Sequence, residues 1–476
     1  MALLNKRPHA VMLPFPAQGP INAMMQLAQI LYARGFYITF VNTQYVQERI
    51  SRSGSVESVK SPPDFRFETL PDGLPPEHGR TSKLAELSRS FTDNGPPYFD
   101  KLMDKLKHSQ PDGVPPVTCI VSDGLVSFPQ KIARKLGVPR VSFWTHSACG
   151  FSTYFFAPLL VEKGYIPLKD ERCLTNGYME QIIPSIPGLP HLRIKDLSFS
   201  LLRMNMLEFV KSEGQAALEA DLILLNTFED LDRPVIDALR DRLPPLYTIG
   251  PLGLLSESAN DTISDISASM WTEETSCVKW LDCQDPSSVI YVSFGSITVM
   301  SREELLEIAW GLEASKQPFL WVIRPGLIDG QPDVLPTEFL ERVKDRSFLV
   351  RWAPQMKVLS HPSVGGFLTH SGWNSTLESI CAGVPMISRP FLAEQPTNGR
   401  FASEVWKIGV AMSEDVKRED VEDLVRRLMR GEEGQQMRKT VGELRDASIR
   451  AVREGGSSYT SMEKFVQEIK RGLDCE

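Results

Sequence analysis

The amino-acid sequence predicts an α/β protein built from two parallel-sheet domains, and three observations carry that reading. Short apolar runs rich in β-branched residues alternate with helix-patterned segments along both halves, the order that builds βαβ units. A polar, aperiodic stretch from Ser256 to Cys277 separates the two series. The chain has 476 residues, more than one ordinary core accommodates.

The first half reads as strands at Ala10–Pro16, Tyr37–Asn42, Thr118–Ser122, Arg140–Trp144 and Leu222–Asn226, with a helix at Ile21–Ala33. Ser61-Pro62-Pro63, Leu74-Pro75-Pro76, Pro96-Pro97 and Pro115-Pro116 read as loops, because proline has no place in a central strand. Tyr247 to Leu252 closes this half. The second half gives strands at Ser288–Phe294, Phe319–Ile323, Phe348–Val350, Val364–His370 and Val384–Ser388. After Gly455-Gly456-Ser457-Ser458 an amphipathic helix runs from Met462 to Leu473. The expected boundaries are an amino-terminal domain at 1–250, a linker at 251–278, a carboxyl-terminal domain at 279–455 and a terminal helix at 456–476 that packs back on the first domain.

Composition excludes several classes. A net charge of −8 with no dense Lys/Arg patch argues against nucleic acid. The seven cysteines lack CxxC spacing, so neither a disulfide framework nor a zinc site is expected, and a reducing compartment suits them. There is no secretory leader pattern and no long apolar run, so no membrane span is expected and the cytoplasm is the expected location.

The most informative stretch runs from Trp352 to Gln395. An apolar strand ends at His370, a small-residue turn follows at Ser371-Gly372, and a helix starts near Trp373-Asn374-Ser375. Amide groups and dipole at such a helix start favour an anion. The plainer alternative is an ordinary βα turn in which Asn374 or Ser375 caps the helix.

This stretch resembles the signature of plant family 1 UDP-dependent glycosyltransferases, through Trp352, Pro354, Gln355, His361, Gly365, Thr369, His370, Gly372, Trp373, Asn374, Ser375, Glu378, Gly383, Pro385, Glu394 and Gln395. The likeness extends over the whole chain, through PHAVMLPFPAQG, the SDG at Ser122 to Gly124, FWTHSA, YTIGPL and YVSFGS. It looks closest to the branch that glucosylates terpenoid, cyanogenic and phenolic aglycones. The resemblance implies the GT-B fold, two facing Rossmann-like domains with an interdomain cleft.

It also implies roles. Trp352 would stack on uracil, while Gln355 and the backbone at Ala353 would read the base edge. Glu378 would accept the ribose hydroxyls. His370, Asn374, Ser375 and Ser296, with amides of the turn at Gly372 and Trp373, would hold the diphosphate. Glu394 and Gln395 would bind sugar hydroxyls. Thr145 would approach the sugar from the other domain, and Gly19 stands among the donor positions. No metal and no cofactor is implied: UDP-sugar is a co-substrate, and helix termini and His370 would neutralise it. The partners are UDP-glucose or UDP-glucuronic acid and a small terpenoid or phenolic acceptor, for a monomeric enzyme. Trp144 and Trp321 read as core.

Two positions depart from the family pattern. Where the pattern has Pro-x-x-Gln-Gly-His, with the histidine as base and an aspartate orienting it, this chain has Pro16-Ala17-Gln18-Gly19-Pro20. Asp123 is present, but Pro20 carries no base. The alternatives are Asp123 acting directly or through water, a UDP-sugar-binding protein with little activity, and a silenced enzyme. His9, at the start of the first strand, is no obvious substitute. The second departure is Arg389, in Ser388-Arg389-Pro390 where relatives read Trp-Pro. An arginine there resembles flavonoid glucuronosyltransferases, in which it would pair with the donor carboxylate. Glucose remains favoured over glucuronic acid.

Overall fold

Parallel pairing of apolar strands organises the chain in two units. The structure, a computed structural model, describes residues 7–53, 62–76, 78–80, 83–109, 113–184, 186–189, 192–257, 269–328 and 335–474. One unit comprises Met1–Ile194, Phe199–Trp271 and Arg450–Glu476, the other Lys195–Ser198 and Thr272–Ile449.

The amino-terminal unit contains β1 (His9–Leu13), β2 (Tyr37–Thr43), β3 (Phe65–Leu70), β4 (Cys119–Asp123), β5 (Arg140–Trp144), the short pair β6 (Ile182–Ile183) and β7 (Leu192–Arg193), β8 (Leu222–Leu225) and β9 (Leu246–Thr248). Its sheet has the order β3-β2-β1-β4-β5-β8-β9, and all of its pairings are parallel. The order reverses between β1 and β4, and the carboxyl ends of such neighbours are where open α/β sheets bind ligands. The carboxyl-terminal unit contains β10 (Val289–Ser293), β11 (Phe319–Val322), β12 (Ser347–Val350), β13 (Val364–Thr369), β14 (Met386–Ser388) and β15 (Gly409–Ala411). Its order is β12-β11-β10-β13-β14-β15, again all parallel, with the reversal between β10 and β13.

Several boundaries differ from the sequence reading for local reasons. β1 stops at Leu13 instead of Pro16, since Pro14 and Pro16 have no N–H for a ladder. The next helix starts at Gln18, ahead of Ile21, because its first turn tolerates Pro20. Pro96-Pro97, expected in a loop, lies inside a helix, Leu84–His108. The buried face there continues across the prolines through Leu87, Phe91, Gly95, Phe99, Leu102 and Leu106, and Gly95 lets the helix approach Phe128. Side-chain burial outweighs two missing donors. Ser61 and residues 258–268 of the expected linker lie outside the described residues. The described flanks of that linker are helical, at Leu252–Glu257 and Ser276–Leu281, with Leu252, Leu255, Cys277 and Leu281 buried.

The helix Gln18–Ala33 and the last helix, Ser457–Asp474, cover one face of the amino-terminal sheet. Met462, Phe465, Val466 and Ile469 join the same core as Met24, Leu27 and Leu31. Phe465 is fully buried, so Phe465→Ala should cost about 3–5 kcal/mol of stability. Thermal unfolding of the full chain checks this, with a lowered midpoint as the expected result.

Candidate functional site

At the carboxyl ends of β10 and β13, residues far apart in sequence meet around one imidazole. Ser293 pairs with Thr369, so Gly295 and His370 leave adjacent strands side by side. A Cβ at Gly295 or at Gly372 would stand 2.5 Å from His370 Nε2. Only glycine fits at both places. Gly295 also has φ +72°, which favours glycine by itself. Ser371 holds φ +60° between His370 and Gly372, with its amide donating to Thr369 Oγ1 at 3.3 Å. Its carbonyl accepts Asn398 Nδ2 at 2.9 Å, which ties the turn to the helix Gln395–Arg400.

Gly372 is the N-cap of the helix Trp373–Ala382, and no side-chain hydrogen bond caps that end. The capping alternative for Asn374 or Ser375 is therefore replaced by a glycine start, whose N–H groups form a positive helix terminus. Burial, with the nearby Arg324 charge, pushes His370 down to about 4. The ring is neutral near pH 7. The positive potential beside the uncharged ring comes from the helix amides and Arg324.

Arg324 was not singled out from the sequence. It follows β11 and is 4% exposed. Its Nε donates to Gly295 O at 2.9 Å, one terminal nitrogen donates to Pro325 O at 3.1 Å and the other to Thr298 O. The guanidinium thus holds from beneath the loop that carries Ser296, which is half-buried. An arginine directly after an apolar strand, at a sheet's carboxyl edge, was the available signal.

Beside the helix start, Gln355 Nε2 donates to Glu378 Oε2 at 2.6 Å and to Ser375 Oγ at 2.9 Å. Tyr291 OH donates to Gln355 Oε1 at 3.3 Å. The structure therefore brings Gln355, Ser375 and Glu378 into one network, with Tyr291 as a member the sequence did not mark. Burial raises Glu378 to about 7, and the Gln355 amide opposes that rise. Trp352 is half-buried and Ala353 buried; the Trp352 carbonyl accepts Glu274 N at 2.8 Å.

Past β14, Gln395 Oε1 accepts Phe391 N at 2.9 Å and Leu392 N at 3.0 Å, folding the loop that presents Glu394. Glu394 is itself buried. Arg389 pairs with Glu304 at 2.8 Å, donates to Pro390 O at 2.6 Å, and lies 4.5 Å from the Phe391 ring centroid. Its charge is engaged within the protein.

In the amino-terminal unit the carboxyl ends of β1, β4 and β5 place Pro20, Asp123 and Thr145 on one edge of the sheet. Thr145 Oγ1 donates to Asp123 Oδ2 at 2.8 Å, and Leu125 N to Oδ1 at 2.9 Å. Asp123 has no exposure, and burial raises its carboxyl above the ordinary range. Gly19 and Pro20 are half-buried in the first helical turn. His9 lies at the opposite end of β1 with Nδ1 2.8 Å from Pro115 O and Nε2 2.8 Å from Thr39 Oγ1. It is structural. Trp144 and Trp321 are fully buried. Among the described residues, no three His, Cys, Asp or Glu side chains stand together as a metal site requires.

Residues 99–441 match the family described as UDP-glucoronosyl and UDP-glucosyl transferase. The sequence is 50% identical over 473 residues to 7-deoxyloganetin glucosyltransferase of Gardenia jasminoides, spanning 98% of each chain. It is 47% identical over 476 residues to (R)-mandelonitrile beta-glucosyltransferase of Prunus dulcis, again 98% of each. Among solved structures, Phytolacca americana UGT2 complexed with UDP-2fluoro-glucose and pterostilbene is similar at a TM-score of 0.78 and 29% identity, over 97% of this chain and 99% of that one.

The contact between Gly372 and the His370 ring sets up a double-mutant cycle. Gly372→Ala should destabilise the protein by about 1–3 kcal/mol through overpacking. In a His370→Ala background the cost should shrink by at least about 0.5 kcal/mol, the size of coupling expected between touching residues. Denaturant unfolding of the four proteins measures it, and additive losses would refute the contact.

Proposed function

The chain belongs to the UDP-glucoronosyl and UDP-glucosyl transferase family and has its GT-B fold of two parallel-sheet domains; from that premise we propose that it transfers glucose from UDP-glucose, with inversion, to a hydroxyl of a small apolar plant metabolite. The observation that carries the donor half is the cradle at the β10–β13 reversal, where a neutral His370 is packed against two glycines beside an uncapped helix start. Such a site offers amide dipoles to a diphosphate.

In this reading Trp352 stacks on uracil, and Ala353 and Gln355 meet the base edge. Glu378 takes the ribose hydroxyls, with Gln355 aligning its carboxyl. Ser296, His370, Asn374, Ser375 and the amides of Gly372 and Trp373 surround the diphosphate. Glu394 and Gln395 face the sugar. Arg389 favours glucose over glucuronic acid as donor, because Glu304 already supplies its carboxylate. Asp123, with Thr145 bonded to it, provides the buried negative charge on the acceptor side, and Gly19 lets the backbone come close to a ligand. The relatives named for 7-deoxyloganetin and (R)-mandelonitrile support a small hydroxylated terpenoid, cyanogenic or phenolic acceptor.

A base takes the acceptor proton, the oxygen attacks the anomeric carbon, and UDP leaves against the helix amides. No described helix is long and apolar enough to cross a membrane, and the scattered cysteines support the cytoplasm. A monomer needs nothing beyond these two domains.

UDP release measured with UDP-glucose and with UDP-glucuronic acid over a panel of terpenols and phenols tests the reading. UDP-glucose should turn over faster, and Arg389→Ala should leave that preference unchanged. A faster glucuronate reaction would overturn the donor assignment, and no UDP release with any acceptor would overturn transfer itself.

Glu378 gives a pH dependence of binding. In the free protein it is protonated below about 7, whereas two ribose hydroxyls donating to it favour the ionised form and lower its pKa. Binding therefore releases a proton at acid pH, so the Kd for UDP-glucose should fall roughly tenfold between pH 6 and pH 8. Calorimetry checks it, and Glu378→Gln should flatten the dependence.

A further inference from the structure

The two residues proposed above to face the sugar stand at the start of a very short helix. That helix, Gln395–Arg400, has six residues, well short of the roughly 12–15 at which an isolated helix becomes even marginal in water. Its direction, and with it the aim of Glu394 and Gln395, is therefore set by what grips its sides. Resting on the donor assignment proposed above, we infer that Asp196 is a positioning residue for the sugar end of the donor. It holds this helix in register, so that Glu394 and Gln395 meet the hydroxyls of glucose.

Three ties grip the helix, and the third comes from outside the stretch Trp352 to Gln395. Asn398 Nδ2 donates to Ser371 O at 2.9 Å, which fastens one side to the turn after β13. Gly399 lies against the end of β14, where a Cβ would stand 3.2 Å from Pro390 Cγ and 3.4 Å from Ser388 Cβ. Thr397 Oγ1 donates to Asp196 O at 2.7 Å, across 201 residues of sequence. Arg400, three positions on, forms an ion pair with the Asp196 carboxylate at 3.5 Å. Positions 397 and 400 share a helix face. One residue thus engages that face twice, through its carbonyl and through its charge.

The segment carrying Asp196 is a brief excursion of the chain. Lys195–Ser198 belong to the carboxyl-terminal unit, although Ile194 before them and Phe199 after them belong to the amino-terminal one. Asp196 is 5% exposed, and Leu197, Ser198, Thr397 and Asn398 are fully buried. A carboxylate is seldom buried without a partner, and Arg400 supplies one. Arg400 also reaches Glu404 at 3.4 Å on the next turn, so its guanidinium is held between two carboxylates. Contacts made out of water are electrostatically stronger than the same contacts at the surface, which suits them to fixing a helix too short to fix itself.

The test measures binding and turnover in the full chain and in three variants. Asp196→Asn removes the charge at constant shape, Thr397→Val removes the hydroxyl at constant shape, and Arg400→Lys keeps the charge. The probes are UDP, UDP-glucose and UDP-galactose, the last differing from UDP-glucose only in configuration at C4. Asp196→Asn and Thr397→Val should each weaken UDP-glucose about fivefold and lower the preference for glucose over galactose. The Kd for UDP, which has no sugar, should stay at the parent value. Transfer from UDP-glucose to 4-nitrophenol should lose about tenfold in kcat through misplacement of the sugar, and Arg400→Lys should stay near the parent. Equal losses for UDP and UDP-glucose, with the glucose preference intact, would make Asp196 a structural brace and overturn the assignment. Parent-like binding in both Asp196→Asn and Thr397→Val would overturn it too. Should Asp196→Asn lower the unfolding midpoint, Thr397→Val, which leaves the ion pair in place, decides by the same ratio. If the parent binds UDP-glucose but releases no UDP, transfer falls and the binding ratios still judge Asp196. If the parent binds no UDP-sugar, both fall.

Discussion

The close packing of one imidazole against two glycines is the constraint on which the site at the carboxyl ends of β10 and β13 depends. Because a side chain at either Gly295 or Gly372 would collide with His370 Nε2, the loops after β10 and β13 are drawn around the ring at a distance only bare backbone reaches. Arg324 fixes one loop through Gly295 O and Thr298 O, and Asn398 fixes the other through Ser371 O. The ring pays for this burial with its charge, since desolvation leaves it neutral at ordinary pH. What remains at the site is a set of fixed dipoles and a buried guanidinium. Such groups need no titration and little rearrangement when charge develops on a leaving group.

The carboxyl groups of Glu378 and Asp123 take their direct hydrogen bonds from neutral donors. Gln355 serves Glu378, and Thr145 with a backbone amide serves Asp123. A neutral partner holds a carboxyl in place without depressing its pKa as strongly as a guanidinium would. Glu378 accordingly sits near neutrality, where a change of hydrogen bonding on ligand binding shifts its protonation. Arg389 shows the contrary case. Paired with Glu304 and laid over Phe391, it braces the loop leading to Glu394 and Gln395.

Much of this was legible in the sequence, and the exceptions have physical causes. The strands of both parallel sheets are buried on two faces and stand out as apolar runs, so β5 was placed at its observed limits, Arg140–Trp144. Prolines misled locally. Pro14 and Pro16 shorten β1, while Pro96 and Pro97 are carried inside a helix by a buried stripe that a dipeptide rule does not see. Most residues of the candidate site were readable because they fall in one contiguous stretch, Trp352 to Gln395. Arg324 and Tyr291 were not, because their contacts reach 29 and 64 residues along the chain.

Pro20 is accommodated without disturbing the fold. A proline in a first helical turn leaves the helix intact: the helix starts at Gln18, and its apolar face packs on the sheet. Chemistry at the end of a parallel sheet is specified differently from the fold beneath it. It needs a group of the right basicity at the rim, and any strand ending there can supply one. β1, β4 and β5 are neighbours, so residues past the ends of β1 and β5 flank the end of β4, where Asp123 stands, on its two sides. Asp123 between them is completely buried and doubly hydrogen-bonded, so strand pairing and its own neighbours on the chain fix the carboxyl, while the rim positions beside it are set by the loops that follow the strands.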